Sequence, residues 1–380
     1  MKLKSLMLGA AAVATATTAQ AADLPVAPEP VDYVRVCDAY GSKFYYIPGT
    51  ETCLRVGGRV RTQITINNFA SDVEDGWGAR GDNGYDWDTE GYLYLDARTA
   101  TEFGTLRAFV TLEGQVTTGG TESFDFGSTY IQWGGLTMGY LGSNFDIFTG
   151  QVWSGPITRN WSDNTIQQLA YTAAFGNGFS FTAAIEDGAD RATGAYGGTR
   201  MPDFVAALGV SQGWGSAQLS GALHHVRPAA VGTDEHLGWA IGAGVAINLD
   251  MLSSGSNVFF QAQYADGALS YIGQSGVTIN GVTSTNSDYV GNDTSTGYSL
   301  SGGIYYQATS TVGLALDGSY MDIDYGANPD HERYAIDGSV QWSPVSGFTI
   351  GGDLGYSHND LSGVGDFDNL VARLRVQRDF

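Results

Sequence analysis

From about Leu54 to Phe380 the chain repeats one pattern: short segments of alternating apolar and polar residues, joined by connections that are tight and long in turn. Alternation with period two gives a strand one apolar and one wet face. The final segment, "LVARLRVQRDF", shows this plainly. Leu370, Ala372, Leu374, Val376 and Phe380 share one parity, while Arg373, Arg375, Gln377 and Asp379 share the other; Val371 and Arg378 break the rule. So many strands with an apolar face need an apolar surrounding. A sandwich core supplies it to a soluble protein. Lipid supplies it to a closed barrel, which satisfies its backbone between strands and crosses a membrane without any apolar run.

The tight connections are "EFGT", "WGGL", "FGNGF", "QGWGS", "LDMLSSGSN", "QATST" and "WSPVSGF". Eight long polar loops alternate with them, including "VTTGGTES", "NFDIFTGQVWSGPITRNWSDNT" and "NDLSGVGD". Fifteen connections make sixteen strands. An even count with short turns at one end and long loops at the other is what an outer-membrane barrel requires, and a count near sixteen leaves an aqueous lumen. The expected fold is therefore all-β: a 16-stranded antiparallel transmembrane β-barrel over 54–380, with short periplasmic turns, long extracellular loops and an inward-folded third loop. Phe175, Phe179, Trp214, Trp342 and Phe348 bracket short turns, where an interfacial girdle falls.

Residues 1–21 read as an export signal, with basic Lys2 and Lys4, the apolar run "LMLGAAAVATATTA" and the small-residue site "AQA". That run is too short to span a bilayer, which takes roughly 20 residues. Residues 22–53 form an N-terminal periplasmic segment. Only 15% of residues are charged, against about 25% in a typical soluble protein. The formal net charge of −22 repels nucleic acid, so no nucleic-acid partner is expected. Cys37 and Cys53 are the only cysteines. An even count in an oxidising compartment favours a disulfide, worth roughly 3 kcal/mol, over two free thiols. A zinc site would need two further ligands, and none is evident nearby.

Parity assigns the walls of the lumen. Arg55, Arg59 and Arg61 on the first strand, Arg98 on the second, Arg107 on the third, and Arg373 and Arg375 on the last all take the wet face. These strands adjoin once the barrel closes, so seven arginines line one sector. A charge facing lipid at mid-membrane costs roughly 2–4 kcal/mol, which favours this arrangement. They serve either as a functional basic wall or merely to keep the lumen wet, paired with Asp96 and Glu113. The third long loop, about Asn144 to Ile166, carries Asp146, Asp163 and Arg159 and is the candidate opposing wall. Its Phe148, Trp153 and Trp161 suit packing against a barrel interior better than an outward loop. Inward Phe109 is an exception to the wet parity, and with Tyr92 and Tyr94 it hints at a short aromatic track.

Asp72, Glu74, Asp75, Asp82, Asp86 and Asp88 crowd one external loop. They form either a solvated face that draws cations to the mouth or a divalent-cation site bridging to lipid phosphates. No other cofactor is expected. His224 and His225 are adjacent on a strand and point to opposite faces, a poor catalytic or metal pair.

The segment "EPVDYVRVCDAYGSKFYYIPGTETCLRVGGRVR" (Glu29 to Arg61), the preceding "ADLPVAPEP" and the last strand closely resemble the alphaproteobacterial porin family. The resemblance implies a homotrimeric general diffusion porin that passes small hydrophilic solutes, not an enzyme, set among outer-membrane lipid and lipopolysaccharide. Phe380 at the end of an alternating strand resembles the outer-membrane sorting signal read by the barrel-assembly machinery. The loop signature "PEFGG" of enterobacterial porins is absent, so constriction details do not carry over. A sugar-type specific channel and a non-channel adhesin or structural barrel are the rival readings.

Overall fold

The computed structural model describes residues 35–69, 77, 79–274 and 276–380. The expected signal at 1–21 and the acidic Asp72, Glu74 and Asp75 lie outside the described residues.

Among the described residues, sixteen strands form the barrel: β1 Cys53–Ile66, β2 Tyr85–Thr101, β3 Gly104–Val116, β4 Glu122–Trp133, β5 Leu136–Gly142, β6 Thr165–Gly176, β7 Phe179–Glu186, β8 Asp203–Gln212, β9 Gly215–Val226, β10 His236–Asn248, β11 Asn257–Asp266, β12 Thr296–Gln307, β13 Val312–Asp324, β14 His331–Val345, β15 Phe348–Leu361 and β16 Gly365–Asp379. Each pairs antiparallel with its neighbours in sequence, and β16 pairs with β1 from Arg59↔Asp379 to Ile66↔Ala372. The sheet is thus closed.

The polarity is inverted relative to a soluble domain. Val60, Leu93, Leu208, Leu300, Leu316, Leu354 and Leu374 are exposed on the outside, whereas Gln63, Glu90, Asp96, Gln263, Asp317, Asp337 and Asp353 are buried inside. Aromatic rings ring the outer face at both ends. Phe103 meets Trp133 edge-on at 5.5 Å near the short turns, and Trp239–Tyr264 and Phe124–Phe126 pair near the long loops. Such belts suit the two membrane interfaces.

The closing seam has its own fit. Phe380 and Gly58 exchange backbone hydrogen bonds of 3.0 and 3.1 Å, and a Cβ on Gly58 would lie 2.3 Å from the Phe380 ring. Glycine there makes room for the terminal aromatic. Short of that point, the free edge of β1 is covered by the two-residue strand Tyr45–Tyr46. The Cys37–Cys53 disulfide holds this cap in place over a small core with Phe44. An exposed strand edge invites mispairing, and the cap removes it.

Two connections are shorter than their composition indicates. "VTTGGTES" contributes only residues 117–121, and "NDLSGVGD" only 362–364, because β3, β4, β15 and β16 keep pairing beyond the expected strand ends. Gly119, Gly120 and Gly363, all at positive φ, allow such tight reversals. The two longest described loops, 143–164 and 267–295, behave differently and enter the lumen.

Candidate pore constriction

Loop 143–164 follows β5 and is bound to the inner wall largely through its backbone N–H groups. Gln151 and Val152 donate to Asp317 at 2.8–3.0 Å, Trp153 to Ser339 at 3.2 Å, Ser154 to Asp353 at 3.0 Å, and Ile157 to Asp337 at 3.3 Å. Farther along, Asn160 donates to Ser319 and Ser162 to Gln263. A loop buried without such acceptors would strand its polar backbone at a cost of about 1–3 kcal/mol per group. Here the wall supplies them. Gly351 and Gly355 on β15 leave notches for Trp153 and Ile157, since a Cβ at either would lie 2.4 and 2.6 Å from those side chains.

The wall carboxylates explain each other only through the loop. Asp317 and Asp337 sit directly opposite on β13 and β14, a like-charge pair that destabilises a bare sheet. Arg159 lies between them, 3.3 Å from Asp337 and 3.8 Å from Asp317. The arginine therefore faces the wall rather than the water.

Asp146 also turns away from the lumen. It accepts hydrogen bonds from Ser162 and from the Asn164 backbone, and lies 3.5 Å from the fully enclosed Arg191 of loop 187–202. Burial pushes its carboxyl above the ordinary aspartate range, opposed chiefly by Arg191. Of the three charges expected to build the loop's side of the pore, Asp163 is the one exposed to water. It lines a polar recess of about 430 Å³ with Arg159, Trp161 and Gln274. Its carboxyl is likewise raised by burial, with Arg159 and Arg191 pulling it back.

Loop 267–295 packs behind. Its helical turn Leu269–Ile272 forms an apolar cluster inside the barrel with Phe145, Met321 and Ile323. Tyr271 stacks edge-on with Phe145 at 4.7 Å and underlies Arg191 at 4.2 Å. Asp288 ties this loop to Thr193 and Tyr196 of loop 187–202, and Tyr196 reaches His224. His225, one residue on, contacts Glu235 on the other face.

The seven arginines all project inward, at two heights. Arg373 and Arg375 meet the loop tip, donating to the Ser154 and Trp153 carbonyls at 3.1 and 3.3 Å, and among the described residues no carboxylate lies within 4 Å of either. Arg61 pairs with Glu90, and Arg59 with Asp379 at 2.6 Å. Nearer the short turns, Arg55, Arg98 and Arg107 all converge on Asp96. Glu113 instead accepts from Tyr92.

Asp317, Asp337, Asp353 and Arg191 were not among the residues expected at the pore. A signal existed: "DGS" occurs at 317–319 and again at 337–339, each on inward parity, where a buried carboxylate demands a partner. Nothing local marks Arg191, whose partners lie in other loops.

A closed sixteen-stranded barrel, apolar outside, polar within and narrowed by an inserted loop, is an outer-membrane channel. The chain matches the Porin subfamily over residues 23–377 and belongs to that family. It is 34% identical over 415 residues to Porin Omp2b of Brucella abortus and of Brucella suis, covering all of both chains. Its fold is similar to the outer membrane channel DcaP of Acinetobacter baumannii, with a TM-score of 0.70 at 17% identity over 88% of this chain and 99% of that one. A trimer form of OmpT from Vibrio cholerae is also similar, with a TM-score of 0.53 at 9% identity over 87% and 100%. The chain is a general diffusion porin of the bacterial outer membrane.

Proposed function

We propose that the pore is narrowest where loop 143–164 faces the arginines of β1 and β16, and that it works by size and field with no bond chemistry. The observation that carries this is the loop's backbone, held by Asp317, Asp337, Asp353 and Ser339 against one wall. Arg373 and Arg375 at the tip, without a carboxylate partner among the described residues, form the basic side together with Arg59 and Arg61. Asp163 is the acidic counterpart, so the transverse field is lopsided. Small hydrophilic solutes pass, and a field across the narrowest point orients polar ones.

Assembly as a homotrimer is supported by family membership and by the trimer form of the similar Vibrio cholerae barrel. Lipopolysaccharide and the barrel-assembly machinery are partners by the same analogy, with Phe380 at the seam as the sorting residue. Asp82, Asp86 and Asp88 act at the outer mouth as a cation-attracting face, with Asp86 oriented by a hydrogen bond from Asn67 at 2.6 Å. The net charge of −22 favours a modest cation preference.

Single-channel conductance in a planar bilayer, with a salt gradient, tests the reading. Large ohmic steps closing in threes are expected, with reversal potential shifting towards cations in Arg375→Gln and towards anions in Asp163→Asn. Folded protein that conducts nothing would overturn it.

A further inference from the structure

We infer that the arginines around Asp96 form a second site, separate from the constriction, that takes the phosphate group of a passing anionic solute. The inference rests on the pore reading above, since the site opens on the lumen.

Asp96 is buried and receives more donors than it can use. Arg98 gives it Nε at 3.0 Å and Nη2 at 2.7 Å, Arg107 gives Nε at 2.8 Å and Nη2 at 3.1 Å, and Arg55 Nη2 approaches to 3.5 Å. A carboxylate offers about four lone-pair sites, so this one is saturated. Three guanidinium charges against one carboxylate leave an excess of two positive charges. Nη1 of Arg107 goes to Gln132 at 3.2 Å. Among the described residues, the outward Nη1 and Nη2 N–H groups of Arg98 and Arg55 are left to serve a ligand, since each Nη carries two hydrogens, and both side chains are partly exposed, at 25% and 42%.

The guanidinium planes are fixed by rings, which steer without neutralising. Phe44 underlies Arg98 at 5.0 Å and Arg55 at 5.3 Å, while Phe109 and Tyr130 flank Arg107 at 5.0 and 5.3 Å. Planar, permanently charged forks held in this way suit bidentate binding of an oxyanion. Asp96 thus acts as the clamp that keeps three repelling charges together, and the anion completes the balance. Arg55 is six residues from Arg61, about 20 Å along the strand at roughly 3.4 Å per residue. Arg98 is three residues before the last residue of β2, where the chain reverses tightly into β3, so the site lies at the periplasmic end, beneath the disulfide-held cap.

Inorganic phosphate is the probe. In recordings from the full-length protein inserted in one orientation, phosphate added on the periplasmic side should reduce and roughen the current at several-fold lower concentration than from the outer side. Each variant is read against its own conductance in chloride. Arg55→Gln and Arg98→Gln should each weaken the phosphate effect several-fold. An effect of equal onset from both sides, or one lost in Arg375→Gln but kept in Arg55→Gln, would overturn the inference while leaving the pore intact. A folded chain that passes no current would overturn the pore reading with it.

Discussion

Arg191 and Asp146 belong to different extracellular loops, yet their side chains meet at 3.5 Å inside the barrel, the arginine wholly enclosed. The same guanidinium donates to Ser162 at 2.9 Å. One residue of loop 187–202 thus grips both ends of loop 143–164.

Removing it should loosen the constriction without opening the barrel. Arg191→Met leaves Asp146 buried without its counter-charge, a change that costs about 3–5 kcal/mol when one partner of a buried pair is lost. The expected result is flickering single-channel current. Adding Asp146→Asn should restore quiet steps in part, the signature of a coupled pair.

The water-exposed Asp163 makes selectivity depend on pH. Although its surface meets water, the surrounding barrel and loop partly desolvate its carboxyl and raise it above the ordinary aspartate range, so it gains its proton early as pH falls. Negative charge is then lost from the loop and the arginine side prevails. Reversal potentials measured down a pH series should move towards anions, starting above the usual titration range of aspartate, near 3.9. In Asp163→Asn that early portion of the shift should be missing.

The notches under the loop give a steric test. Gly351→Val places methyl groups against the Trp153 ring, which stands 2.4 Å from where a Cβ would be, so the tip must lift into the lumen. Overpacking of this kind costs typically 1–3 kcal/mol. Lower unit conductance is expected, measurable beside Gly352→Val on the opposite parity, which should conduct as the parent does.

Replacing both cysteines by serine should lower the thermal stability of the N-terminal cap by up to roughly 3 kcal/mol. The barrel strands themselves do not depend on this link. Since Phe44 underlies Arg55 and Arg98, a loosened cap should also blunt the periplasmic phosphate effect.

Strand number, parity and the seven inward arginines were legible in the sequence because period two is local. The exceptions to parity were legible too, though not their reasons. Val371 breaks the rule because it packs inside against Ile157 of the constriction loop. Arg378 sits at the rim, where its guanidinium donates to the Ser346 carbonyl at 2.7 Å, and Phe109 lies in stacking range of Tyr130 at 5.3 Å. The charged partners of Asp146 and Arg159 were not legible, because each is met across more than forty residues of chain. A loop's composition does not say which of its charges will be spent on its own anchorage.

The acceptors that hold residues 151–157 of the constriction loop lie on β13, β14 and β15, at Asp317, Ser339, Asp337 and Asp353. The bore of the channel is consequently encoded twice, once in the loop and once, some 150 or more residues later, in the wall that receives it. Grafting the loop alone into another barrel would transplant its sequence but not its shape. Conversely, selection can retune the aperture by changing wall residues while the loop stays untouched, so two natural channels with the same loop can differ in what they admit.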